Sequence, residues 1–314
     1  MNQIKRNLQD LPAAAPSEGT PPSANPKFVT ELAEAWYAEL LAGGVDLDLA
    51  IPEAGPYRAS WAGKRCDRAL FYALRGDDES NPPGVADQWR FAIGHMVHEG
   101  IQKVMHKMRD GKVLVEENVD LNPAGIPGSA HADLIVLDDD GNEVCVVEYK
   151  TINGFGFKMA ATSFKGAPEG PRSGHALQAA MVAVARNVPY FAVGYFSLEN
   201  LSPSMAGDFA NGEIGRFTAE WRFKTDDWVP EVNREAQRIA RILGDIDAGR
   251  MTARTITDPE YPEGALIEEP DRKGRWQATT EDGVVVGTGT TWFCDYCDQR
   301  DRCLADGATP VTIG

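Results

Sequence analysis

The run VCVVEYKT at 144–151 ends an apolar stretch with a carboxylate and an amine two residues apart, Glu148 and Lys150. On a strand, residues two apart point to the same face. Burying a lone carboxylate or ammonium costs several kcal/mol per ion, so such a strand end needs compensation. A structural salt bridge would supply it. The preceding run HADLIVL adds a second acid, Asp133, at the entrance to another apolar segment. Between the two runs lies DDDGNE, and its Asp140-Gly141 pair is a strong hairpin signal. A hairpin centred there sets residue 133 opposite residue 148. Asp133, Glu148 and Lys150 then converge on one patch. Two carboxylates in that arrangement suit a hard cation such as Mg2+ or Mn2+. The cation would offset their repulsion and acidify a bound water. Lys150 would hold that water or neutralise charge on a phosphate.

A second group of reactive residues lies elsewhere. Cys294, Cys297 and Cys303 form C-x2-C-x5-C, and Cys66 stands alone far upstream. The fifth cysteine, Cys145, falls inside the apolar strand and reads as core. An odd count, in a chain expected to be cytoplasmic, argues against a disulfide framework. Four thiolates can hold zinc or an iron–sulfur cluster, and spacing alone leaves the two open.

The elements that must position these residues follow from periodicity. The 314-residue chain is 43% hydrophobic and 9% aromatic, which supports a sizeable core. Residues 1–26, rich in Pro, Ala, Ser and Gly, read as a flexible tail. Residues 27–314 read as one domain. Helical spacing appears at 28–40, 57–76, 86–111, 175–187 and 228–250, and strand patterns at 112–121, 129–137, 143–151 and 189–199. Residues 152–174 read as a Gly-rich connection. The order helix, β-meander, helix, strand indicates an α/β fold with a mixed central sheet flanked by helices. The net charge of −16 argues against a broad basic face that coats nucleic acid, though not against a narrow DNA cleft. No apolar stretch is long enough to span a membrane, and the chain is expected to be cytoplasmic. Within the connection, Phe155, Phe157 and Phe164 lie beside Lys158, Lys165 and Arg172. Aromatics for base stacking and cations for phosphates would make a single-strand binding loop; an ordinary mobile loop is the alternative. Lys64, Arg65 and Arg68 form a second small basic cluster.

GSAHAD and VVEYKT together resemble the D…(D/E)-x-K signature of the PD-(D/E)XK nucleases, in their RecB-like branch. That branch carries an upstream G-x-x-x-H, matched by Gly94 and His98. Its Q-x-x-x-Y helix motif is matched at Gln178, with Val182 where the tyrosine stands. The resemblance implies a restriction-endonuclease-like core, with His98, Asp133, Glu148 and the Tyr149 backbone carbonyl as ligands of Mg2+ or Mn2+. It implies Lys150 as the catalytic amine and Gln178 as the residue that orients it or the substrate. The cysteine pattern resembles that of the iron–sulfur nucleases related to AddB and to the CRISPR-associated RecB-like exonucleases. CDRALFY (66–72) looks like their helix start, with Asp67 in place of a proline. This implies a 4Fe-4S cluster on Cys66, Cys294, Cys297 and Cys303, joining 57–76 to 288–306 beside a catalytic core at 86–200. The implied function is a metal-dependent exonuclease acting on single-stranded DNA ends in recombination or end processing. Two other readings are a catalytically inactive DNA-end-binding partner of the same fold and a zinc-bearing interaction module. Homo-oligomerisation is left open.

Overall fold

The computed structural model describes residues 57–81, 85–109, 111–161, 169–198, 217–257, 265–267, 278–280, 282–287, 294 and 297–307. The expected tail at 1–26, the helix at 28–40, Phe164 and Lys165 lie outside them. The chain divides into two compact units, Met1–Ser60 with Trp89–Asn233, and Trp61–Gln88 with Arg234–Gly314.

The first unit is built on a five-stranded sheet in the order β1-β2-β3-β4-β5. The strands are β1 (Val113–Asp120), β2 (Ser129–Leu137), β3 (Glu143–Ile152), β4 (Tyr190–Ser197) and β5 (Thr218–Lys224). β1, β2 and β3 form an antiparallel meander. β3 pairs with β4 in parallel, and β4 with β5 antiparallel. The sheet is therefore mixed, as expected. A parallel pair needs a crossover, and the chain between β3 and β4 carries α3 (Gly154–Ala161) and α4 (Ser173–Arg186).

The β2–β3 register is the one implied by a turn at Asp140-Gly141: Leu134 faces Val147, Ile135 faces Val146 and Val136 faces Cys145. Gly141 has φ +83°, a left-handed conformation that glycine adopts without a steric penalty. One helix, α2 (Val85–Met108), lays Val97, Ile101, Val104 and Met105 against Leu134, Cys145, Val147 and Tyr149. Cys145 is wholly buried in that core, as its place in the strand suggested.

Two expectations change. Residues 154–161 are helical rather than a loop, because Phe157, Ala160 and Ala161 bury one face. Two glycines in the first turn concealed it. Phe157, with 4% of its surface exposed, is a core side chain and offers no ring to a base. Phe155 is 60% exposed on the same helix.

Close approach fixes Gly128, beside the start of β2. A Cβ there would stand 2.3 Å from the Tyr57 carbonyl oxygen, which also accepts the Ser129 N–H at 3.0 Å. Gly128→Ala must push backbone away from backbone. A loss of about 1–3 kcal/mol is expected, read as a lower urea midpoint with an unchanged slope.

The second unit contains α1 (Asp67–Arg75), most of α5 (Val229–Asp247), a small sheet of β6 (Leu266–Ile267), β7 (Ala278–Thr279) and β8 (Val285–Gly287), and α6 (Arg300–Ala305). Among the described residues no helix is long and apolar enough to cross a membrane.

Candidate functional site

Pairing of β2 with β3 ends at Leu134–Val147, so Asp133 and Glu148 stand just beyond the last rung. There the Asp133 side chain takes over from backbone, and its Oδ2 accepts the Tyr149 N–H at 2.9 Å. The β1–β2 ladder skips one rung at the same level, between Val115–Leu134 and Glu117–Ala132. The skipped residue on β1 is Glu116, with φ +52°. Both ladders thus open around Asp133.

Four of the expected residues meet in this opening. His98 on α2 places Nδ1 3.6 Å from Asp133 Oδ1, and its ring meets the edge of Tyr149 at 4.7 Å. Gly94, one turn earlier, is where α2 runs close to β3, with Thr151 Oγ1 3.5 Å from where a Cβ would be. Asp133 and Glu148 lie close enough for the Asp133 charge to act on Glu148. Glu148, 2% exposed, is ion-paired through Oε1 with Lys150 Nζ. Gln178 is buried on α4, a helix that packs against β3 and β4. Val182 is buried one turn further along.

Burial governs the electrostatics. It pushes the Glu148 carboxyl from 4.5 up to about 8; Asp133 adds to the rise and Lys150 opposes it. Asp133 rises from 3.8 to about 6 through burial, against the pull of Lys150 and the Tyr149 N–H. Burial works against the Lys150 charge as well, but Glu148 and Asp133 outweigh it and raise its pKa above the ordinary lysine range. Each acid is thus shifted toward its protonated form and binds a proton more readily than a free carboxylate, beside the Lys150 cation. Replacing that proton with a divalent ion is the exchange such a pair is suited to. The donors are one imidazole and two carboxylates, of the kind a hard cation takes. Among the described residues no three His, Cys, Asp or Glu groups stand close enough to close on an ion without rearrangement. In this site Glu148 is engaged by Lys150.

Two residues beside the site carried no signal in the sequence. Glu116 acts electrostatically on Asp133 and is held by a hydrogen bond from Gln102 Nε2. Its approach depends on a left-handed backbone that KVLVEENVDL does not advertise. Tyr195 lies opposite Lys150 on β4. Its hydroxyl accepts the Arg172 N–H at 2.8 Å and lies 2.8 Å from His175 Nδ1. Arg172, expected at a DNA-binding loop, is exposed at the start of α4, and Lys158 lies in the last turn of α3.

The four cysteines of the second unit line one cavity of about 190 Å3, together with Lys64, Arg254 and others. Cys66 precedes α1, and the Cys297 N–H donates to the Cys294 carbonyl oxygen at 3.2 Å. Burial, with repulsion from the other three cysteines added, raises Cys66 well above the ordinary thiol range, and burial lifts Cys297 to about 11. Two members of the basic cluster beside Cys66 are engaged within their own unit. Arg68 is fully buried, donating to the Thr252 carbonyl and to the Gly307 carbonyl at 3.1 Å. Lys64 pairs with Asp298.

No family model matches the chain, and no curated protein matches it. Solved structures show distant likeness. LHK-Exo in complex with dAMP shares 16% identity at a TM-score of 0.40, over 60% of this chain and 89% of that one. The alkaline exonuclease LHK-Exo from Laribacter hongkongensis gives 16% and 0.40, over 61% and 89%. SSO0001 gives 15% and 0.39, over 88% and 95%.

Proposed function

We propose that this chain is a divalent-metal-dependent DNA nuclease of the PD-(D/E)XK kind, an exonuclease acting on single-stranded ends. The observation that supports it best is the meeting of His98, Asp133, Glu148 and Lys150 where two strand ladders open. Mg2+ or Mn2+ held by His98, Asp133, Glu148 and the Tyr149 carbonyl would lower the pKa of a water and offset phosphate charge. The chain's own contribution is positional. The Tyr149 N–H fixes Asp133, and the edge of Tyr149 meets the His98 ring. Lys150, ion-paired with Glu148, would orient the attacking water or neutralise charge developing on the phosphate. Gln178 would orient Lys150 or the substrate. Phe155, exposed five residues beyond Lys150, would stack on a base, and Arg172 and Lys158 would meet phosphates.

Incubation of end-labelled single- and double-stranded DNA with Mn2+ tests this reading. Progressive loss of label from single strands by the wild type, abolished in Asp133→Asn, supports it. No cleavage by wild-type protein that binds the same DNA would favour the inactive end-binding partner.

The titrations give a further expectation. Ion binding displaces protons bound to Asp133 and Glu148, so Mn2+ affinity should rise about tenfold per pH unit between pH 6 and 8. The ion-free protein behaves oppositely. Both acids bind protons more tightly folded than unfolded, so their stabilising contribution is full below pH 4 and is lost as pH rises through about 6 and 8. Thermal melts with EDTA and with Mn2+ across that range would check both signs.

The cysteine cavity supports a 4Fe-4S cluster on Cys66, Cys294, Cys297 and Cys303. Four thiolates on one zinc stand at about 2.3 Å from the metal and enclose no void. The cavity of about 190 Å3 that the four cysteines line together with Lys64, Tyr72, Arg254 and other residues has room for a polynuclear group. Anaerobically purified protein should be brown and contain iron and sulfide; a colourless protein with stoichiometric zinc would favour the zinc module.

A further inference from the structure

The four cysteines do not have equivalent surroundings. Arg254 donates from Nε to Cys303 Sγ at 3.1 Å and from Nη2 to the Cys303 carbonyl oxygen at 2.5 Å. Its side chain is 1% exposed and lines the cavity that the cysteines share. Cys297 Sγ accepts instead from the neutral Gln299 N–H, at 3.4 Å. Arg254 is held there by its backbone: its carbonyl accepts the Ile267 N–H at 3.1 Å, and the neighbouring Thr255 carbonyl accepts the Asp67 N–H at 3.0 Å. The guanidinium is therefore presented to one sulfur by elements that do not depend on it.

We infer that Arg254 is a positioning and charge-tuning residue for an iron–sulfur cluster bound at these cysteines: it fixes Cys303 as a ligand and favours the reduced cluster. The inference rests on the cluster reading above. Arginine stays charged at any working pH. One-electron reduction adds a negative charge to the cluster and its thiolates. A buried guanidinium bonded to a ligand sulfur attracts that charge strongly where water is excluded. Hydrogen bonds to the sulfurs and local charge are among the factors that set such potentials, and partners of ligands also govern how firmly a site holds its metal.

The test is a redox titration of the full-length, anaerobically reconstituted protein with dithionite as reductant, followed by absorbance and electron paramagnetic resonance. Wild type is compared with Arg254→Lys, which keeps the charge, Arg254→Gln, which keeps an N–H donor, and Arg254→Met, which keeps neither. The midpoint should fall from wild type to Met. The full change should be at least tenfold in the reduced-to-oxidised ratio at fixed potential, about 59 mV for one electron. Lys and Gln should lie between. Met should also release iron to a chelator fastest while its circular dichroism stays native. A purely structural arginine would leave the midpoint unmoved. Loaded Lys and Gln variants with the wild-type midpoint overturn the inference while the cluster reading stands, as does a wild-type cluster that dithionite cannot reduce. Wild-type protein without iron overturns both.

Discussion

Lys150→Ala should lower the cleavage rate by about 10²- to 10³-fold at saturating Mn2+, the usual effect of removing one preorganised charge from a reacting centre. The loss should fall on kcat more than on KM, because an amine that meets charge developing on the phosphate acts in the transition state. Lys150 contributes no ligand, but Mn2+ affinity should fall at neutral pH because Glu148 then holds its proton more tightly, which is why the rates are compared at saturating Mn2+. The fold should survive. Without the ammonium, Glu148 keeps its proton to higher pH instead of remaining a buried anion, because Lys150 is what opposes the rise. Single-turnover digestion of end-labelled DNA, with circular dichroism as a control, measures this. An Asp133→Asn variant should lose both activity and Mn2+ affinity, and so separates the ligand from the amine.

Asp67→Ala should be the most destabilising single change outside the site, by about 3–5 kcal/mol. Asp67 is wholly buried. Its Oδ1 accepts Arg238 Nε at 2.7 Å, and its Oδ2 is ion-paired with Arg241. Arg238 is itself buried, bonded to Glu235 at 3.1 Å and to the Lys64 carbonyl at 2.7 Å. Burial opposes the Arg238 charge, and Glu235 with Asp67 more than restores it. Removing one member of such a network leaves a buried charge undercompensated, and that penalty reaches about 3–5 kcal/mol. Asp67→Asn keeps one acceptor and should lose less. Chemical denaturation of both variants, each with and without iron, would show the ordering. The same contacts give Asp67 a structural role: it binds α1 to α5 through charge.

The parts of this account that were readable in the sequence share a cause. Alternation in HADLIVL and VCVVEYKT, with an Asp-Gly turn between them, fixes which residues face each other, and the Leu134–Val147 register follows. That is enough to bring Asp133, Glu148 and Lys150 together. His98 needed the resemblance, because nothing in a helical stripe says which strand end it will overhang. The unreadable parts depend on backbone or tertiary detail. Glu116 reaches Asp133 through a positive φ. Residues 154–161 looked like a loop because Gly154 and Gly156 mimic a turn, yet Gly156 lets the helix settle where a Cβ would meet Ile152 at 2.9 Å. Arg68 read only as one of a small basic cluster; arginine is almost never fully buried unless paired, and its partners are two carbonyls at distant positions in the sequence. Tyr195 carries no motif; only the parallel pairing of β3 with β4 sets it opposite Lys150.

The central claim is that His98, Asp133 and Glu148 share one divalent ion beside Lys150. Anomalous diffraction from crystals soaked in Mn2+ tests it most directly. The account predicts a single strong peak within coordination distance of the Asp133 and Glu148 carboxylates and the His98 imidazole, absent from Asp133→Asn crystals. A peak elsewhere, or none at saturating Mn2+ and pH 8, would contradict it.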